Sequence, residues 1–162
     1  MYSPDKNSAF WQYLSAGQKG LIEEGLYILG LTKDHPDTNI ADYSYLVFRF
    51  AKAYEGFLKQ LFLDLEFINK KEYESDRFRI GKALNPFLEK RLQQYSIYNK
   101  VVYLLGNYEL ADELWRVWKT GRNLIFHYFP HNLKALSLKE AESVISDILN
   151  VMQRAVIECK VR

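Results

Sequence analysis

From Ile40 onward, apolar side chains recur at steps of three and four: Tyr43, Leu46, Val47, Phe50, Ala53, Tyr54, Phe57, Leu58, Leu61, Phe62 and Leu65. That spacing lays a single stripe along a long helix. Asp37 or Thr38, just after Pro36, is the predicted N-cap, and the polar run from Asn69 to Asp76 ends the pattern. Asn85-Pro86 reads as a cap with proline in the first turn of a short helix through Arg91 and Leu92. After a break at Gly106-Asn107, the segment from Glu109 to about Phe126 carries Leu110, Leu114, Val117, Trp118 and Ile125 on one side, and Pro130 stops it. Ser137-Leu138-Lys139-Glu140 forms a capping box that opens a last helix, with Ala141, Val144, Ile145, Ile148, Met152, Ala155 and Val156 turned inward.

The first thirty residues are harder to read. Ala9 to Leu14 and Leu21 to Leu29 keep helical periodicity, but Gly17, Gly20 and Gly25 each cost ~1 kcal/mol relative to alanine inside a helix. A broken helix or two short ones is the expectation. The run VVYLL at 101–105 suits either a short strand or a helical turn, and no other run alternates convincingly between turn residues. With no internal repeat and no linker, residues 1–162 are read as one domain, an all-α, up-and-down bundle of about five helices.

Composition narrows the functional classes. The chain has 162 residues and a formal charge of +2, which does not mark a general nucleic-acid binder. The single cysteine, Cys159, cannot form an internal disulfide or a thiolate-rich metal site, which suits a reducing compartment. The start MYSPDKNSAF lacks the pattern of a secretory leader, and no window reaches the ~18 apolar residues of a membrane span. A cytoplasmic protein with no membrane partner is therefore expected. The 12 Tyr, 10 Phe and 3 Trp exceed what a small core normally needs, and the stretch from Trp115 to Phe129, with Tyr108 nearby, is a candidate dimer seam.

Histidine is scarce. His35 lies in a polar turn and reads as solvated, and His131 follows Pro130 outside the helix. His127 differs, because it closes the segment Gly121-Arg122-Asn123-Leu124-Ile125-Phe126-His127 at the end of an amphipathic helix. An Arg followed by His five residues later is expected about 0.15 times by chance in this composition, and about 0.008 times with Asn directly after the Arg. Five residues turn a straight helix by about 500°, which leaves Arg122 and His127 ~140° apart. For both to reach one atom, either the helix loosens near His127 or a second subunit completes the site. Asn123 is four residues from His127 and can lie over it.

Arg122-Asn123-x-x-x-His127 resembles the R-x4-6-H motif of HEPN domains, in which Asn commonly follows the Arg. The resemblance implies a homodimeric helical bundle whose paired motifs share one cleft. It also implies, for many members, metal-independent RNase activity as toxins of toxin–antitoxin or phage-defence systems. The stretches Phe50 to Lys59 and Ile80 to Asn85 resemble the HEPN domain of the RNase LS (RnlA-like) toxins, where a basic residue and a Glu on the earlier helix join the Arg and His. Here those positions are Lys52 and Glu55, which otherwise read as a surface pair on one helical face. Lys52 carries charge without the planar fork of Arg. Some HEPN toxins carry a modified Tyr two residues past the His; in this chain Tyr128 is adjacent and Phe129 takes that place, so a nucleotidyltransferase antitoxin is not supported.

The implied chemistry suits these residues. RNA supplies its own nucleophile in the 2′-OH, so the site needs a proton acceptor, a proton donor and positive charge on the phosphate. Histidine, whose ordinary pKa is ~6.5, can exchange the proton. Arg122 would hold the phosphate, Asn123 would orient the imidazole or touch phosphate, and Glu55 would hold Arg122 or His127. The products would be a 2′,3′-cyclic phosphate and a 5′-OH, with no cofactor or metal; the expected partners are RNA, a second copy of the chain and a protein antitoxin. Dispersed histidines offer no metal-ligand spacing, and no phosphate-binding glycine loop or nucleophile elbow is present. The competing class is a non-catalytic helical module that binds a protein or nucleotide partner through its aromatic surface.

Overall fold

A computed structural model describes residues 4–35 and 39–162 of the chain. Among the described residues every regular element is helical and no strand occurs. The helices run α1 (Ala9–Tyr13), α2 (Ala16–Asp34), α3 (Ser44–Asp64), α4 (Lys70–Glu74), α5 (Ile80–Ala83), α6 (Ile97–Leu105), α7 (Glu109–Trp118) and α8 (Leu138–Glu158). Five of these, α2, α3, α6, α7 and α8, are nine residues or longer and form the bundle.

The interruption near the N-terminus falls at Leu14-Ser15, ahead of the glycines, and α2 then runs through Gly17, Gly20 and Gly25 unbroken. Ser15 starts it with a capping box to Gln18. The expected capping box at Ser137 forms as read: its hydroxyl accepts from the Glu140 N–H at 3.3 Å, while the Glu140 carboxylate accepts from the Ser137 N–H at 2.8 Å. VVYLL belongs to α6, which Gly106 closes. The short helix expected from Asn85 does not form there. The Asn85 carboxamide oxygen accepts from the Phe87 N–H at 2.9 Å, making a turn, and a 3-10 helix follows at Lys90–Tyr95.

The long central helix begins later than its apolar stripe suggests. The N-cap expected at Asp37 or Thr38 lies outside the described residues, and residues 39–43 are not helical. Asp42 accounts for the delay: Oδ1 accepts from the Ser44 N–H at 2.8 Å and from the Leu136 N–H at 3.1 Å, while the Tyr43 N–H donates to the Leu136 carbonyl at 2.9 Å. These bonds stitch the start of α3 to the segment that leads into α8.

α3 is the axis of the molecule, packed along α2 on one side and α8 on another, with Phe50, Tyr54, Phe57 and Phe62 fully buried. Tyr54 donates its hydroxyl to the Leu114 carbonyl at 3.0 Å, which ties α3 to α7. The aromatic surplus is divided between the core and the surface. Trp118, assigned above to a dimer seam, is only 6% exposed, and Trp115 is half-buried against the core. Tyr108 and Tyr128 remain exposed. No helix among the described residues is long and apolar enough to cross a membrane.

Candidate functional site

Although α3 is enclosed on most sides, part of its middle reaches solvent, and Phe48, Lys52 and Glu55, at i, i+4 and i+7, form one strip of that surface. Facing this strip is the end of α7, where the expected regular helix to Phe126 is not what forms. The α-helix stops at Trp118, and Lys119–Asn123 make a single π turn in which the Leu124 N–H bonds five residues back to the Lys119 carbonyl at 2.9 Å. Residues 124–127 then continue as a turn, so the helix has already ended well before Pro130. Two local causes are visible. Thr120 turns its hydroxyl back onto the Arg116 carbonyl at 2.9 Å, a bond that bends helices. Gly121 is buried against α8, where a Cβ would lie 3.1 Å from the Ile148 side chain, so glycine lets the chain draw in close without displacing Ile148.

The π turn rotates Arg122 onto the α3 strip. Its Nε and Nη2 lie 3.3 and 3.2 Å from Glu55 Oε2, and its guanidinium stands 5.3 Å from the centre of the Trp118 ring. Both partners of the pair are more than a third exposed, so the pair contributes at most ~1 kcal/mol to stability. Its consequence is geometric: the planar fork is held at one place and one angle. A cleft of about 320 Å³ opens there, lined by Phe48, Ala51, Lys52, Glu55, Arg122 and Phe126. Phe48 and Phe126 meet edge to face, 5.8 Å apart, at its wall. Lys52 is exposed and has no carboxylate partner among the described residues. The two cations and one carboxylate leave one net positive charge, which balances the single negative charge of a phosphodiester.

Lys52, Glu55 and Arg122 are therefore brought together, whereas Asn123 and His127 do not line this cleft. Asn123 is exposed at the end of the π turn, and its side chain makes no hydrogen bond to His127 among the described residues. The His127 N–H bonds to the Leu124 carbonyl at 3.3 Å, and its imidazole is exposed with no side-chain partner among the described residues. His131 is exposed too, in left-handed backbone at φ 57°, and His35 ends α2 on the far side of the sequence from the motif. Phe48 is a cleft residue that the sequence reading did not single out, while Phe126 and Trp118, read there as part of an aromatic seam, line the cleft and back Arg122 respectively. The signal for Phe48 was present, since it shares a helical face with Lys52; the contact of Trp118 with Arg122 depends on the π turn and left no trace in the spacing.

The loop after His127 is anchored by Asp42, whose Oδ2 accepts from Asn132 at 3.5 Å and whose Oδ1 serves Ser44 and Leu136. Burial raises the Asp42 pKa, but hydrogen bonds from the Ser44 hydroxyl and N–H, the Leu136 N–H and Asn132 outweigh it and hold the carboxyl below its ordinary value. A carboxyl lowered on folding lends stability that is complete above ~3.9 and lost as pH falls through the folded value. Urea unfolding should accordingly show less loss of stability between pH 6 and pH 3 in Asp42→Asn than in the wild type; an equal loss would mean that this carboxylate is not a source of acid sensitivity.

No group of three His, Cys, Asp or Glu side chains among the described residues is placed to hold a metal ion. Cys159 is half-buried at the end of α8, and burial, followed by the Glu158 charge, pushes its thiol up to about 11, away from nucleophilic chemistry near neutrality. Compared with protein-family models, with curated proteins and with solved structures, the chain finds no match, so the role of the cleft has to be read from its own residues.

Proposed function

We propose that this protein is a metal-independent endoribonuclease of the HEPN type, acting as a homodimer and as the toxin of a toxin–antitoxin or phage-defence pair. The observation that carries the reading is the Arg122 fork, held by Glu55 beside the unpaired Lys52 in an open cleft. An arginine fixed in this way is preorganised for a phosphate, and such placement costs no rearrangement during reaction. Phe48 and Phe126 offer aromatic edges beside it, as single-stranded RNA sites use.

In the proposed reaction the 2′-oxygen forms a bond to phosphorus while the bond from phosphorus to the 5′-oxygen breaks. The 2′-OH proton passes to a base and the leaving 5′-oxygen takes a proton from an acid. His127 is the proton-transfer group, Arg122 and Lys52 bear the charge that builds on the phosphoryl oxygens, Glu55 positions Arg122, and Asn123 contacts the phosphate or the imidazole. The exposed imidazole, five residues past Arg122 and without an orienting partner among the described residues, fits a site that a second copy of the chain completes.

Purified protein is expected to cleave single-stranded RNA in the presence of EDTA, leaving a 2′,3′-cyclic phosphate and a 5′-OH, and to inhibit growth when expressed. If freshly purified, antitoxin-free protein leaves RNA intact, the alternative of a non-catalytic helical module binding a protein or nucleotide partner takes its place.

A further inference from the structure

A second, larger cavity of about 540 Å³ lies away from the Arg122 cleft, between the loop after α3, α5 and the start of α6. Its floor is apolar, with Phe67, Ile68, Phe78 and Ile97 presenting carbon to the space. Its rim is cationic: Arg77, Arg79, Lys82 and Lys100. Glu72 is the only carboxylate on the lining among the described residues, and it takes part in the capping box of α4, accepting from the N–H of the N-cap Asn69 at 2.9 Å.

Elsewhere in the molecule, basic side chains commonly find acids; Arg116 and Arg154 each bind carboxylates on neighbouring helices. None of the four cations at this rim has a carboxylate partner among the described residues. Arg79 donates to the Asp76 carbonyl at 2.5 Å, and Lys100 donates to the Phe67 carbonyl at 2.8 Å while standing 5.9 Å from the Phe67 ring centre. Arg77 and Lys82 have no side-chain hydrogen bond among the described residues, and both are exposed. Four cations against the one carboxylate of Glu72 leave a net positive charge around an apolar hollow, and an amphipathic anion relieves both the repulsion and the exposed carbon. The aromatic members decide the class of anion. Phe67, Phe78 and Tyr95 supply ring faces and edges, and Tyr95 is 64% exposed at the mouth. Planar bases stack on such rings while their phosphates lie on Arg and Lys.

We infer that this cavity binds a nucleotide unit, with the base among Phe67, Phe78 and Tyr95 and the phosphate on Arg77, Arg79, Lys82 and Lys100. The unit can come from a free nucleotide or from a strand of RNA, and the chemistry is the same. The inference stands apart from the cleavage reading, since none of these side chains belongs to the Arg122 cleft.

The test is calorimetric titration of the full-length protein with ATP, with inorganic phosphate and with a short oligoadenylate. The oligoadenylate runs use the Arg122→Ala background, so that the strand stays whole whatever the cleft does. Binding of ATP or of the oligomer, weakened about tenfold or more in Arg77→Ala/Lys82→Ala and also weakened in Tyr95→Ala, is the expected result. Binding of ATP identifies a free nucleotide as a source, whereas binding of the oligomer alone identifies a strand. Both sets of substitutions remove exposed side chains, and an unchanged unfolding midpoint verifies that the fold persists. Absence of binding by both ATP and oligoadenylate, inorganic phosphate binding as tightly as ATP, or affinities indifferent to these substitutions would each overturn the inference.

Discussion

Arg122→Ala is expected to slow RNA cleavage by about 10²–10³-fold, the loss typical of one charge-stabilising donor. His127→Ala is expected to slow it by about 10²–10⁴-fold, the range of a proton-transfer group. Neither change should disturb the fold. The Arg122–Glu55 pair is too exposed to contribute much stability, and the His127 side chain is exposed without a hydrogen-bond partner among the described residues. Single-turnover cleavage measured alongside thermal unfolding separates the two effects. Arg122→Lys is expected to recover only part of the loss, because an ammonium keeps the charge but cannot reproduce the fork that Glu55 and Trp118 hold in place. Wild-type rates in both alanine variants would remove the cleft from the chemistry.

Gly25→Val should destabilise the protein by about 3 kcal/mol, at the upper end of what overpacking costs. A Cβ at this position would stand 2.6 Å from the Phe50 ring, and Phe50 has no exposed surface and therefore no space into which to retreat. For a domain of this size that corresponds to a melting temperature lower by roughly 6–12 °C. Gly17→Ala and Gly20→Ala supply the contrast. No heavy atom outside the local helix backbone lies within 4 Å of a Cβ at either site, so both should gain up to about 1 kcal/mol from helix propensity alone. Equal behaviour of the three substitutions would refute the close packing of α2 on α3.

These three glycines show where local reading stops. Along the sequence they are identical weak points in a helical pattern, and a break among them is the natural expectation. In the fold, one of them is the place where two helices touch, and the break falls at Ser15 because a capping box starts a new helix there. The same division runs through the functional site. Lys52 and Glu55 sharing a helical face, and Arg122 followed by Asn123 and His127, are matters of spacing and can be found by counting. That Glu55 meets Arg122 cannot be counted, because 67 residues separate them and the contact requires the π turn.

Periodicity was sufficient for the helical class, for the inward faces of α3, α7 and α8, and for the capping box at Ser137, because each of these depends on residues within a few positions of one another. Boundaries held less well. The start of α3 waits on bonds from Asp42 to Ser44 and, across the chain, to Leu136, and α7 gives way at Trp118 where Gly121 seats against Ile148. The fate of the aromatic surplus was equally hidden. A tryptophan at an amphipathic position fits a core or a seam alike, and only packing against α3 turned Trp118 inward. Composition was silent about charge placement, since a formal +2 is compatible with any arrangement. Folding gathers four cations and one carboxylate around one apolar hollow and a single net positive charge beside another, because helices that pack by their apolar faces leave their charged residues to meet wherever the chain's path brings the outer faces together.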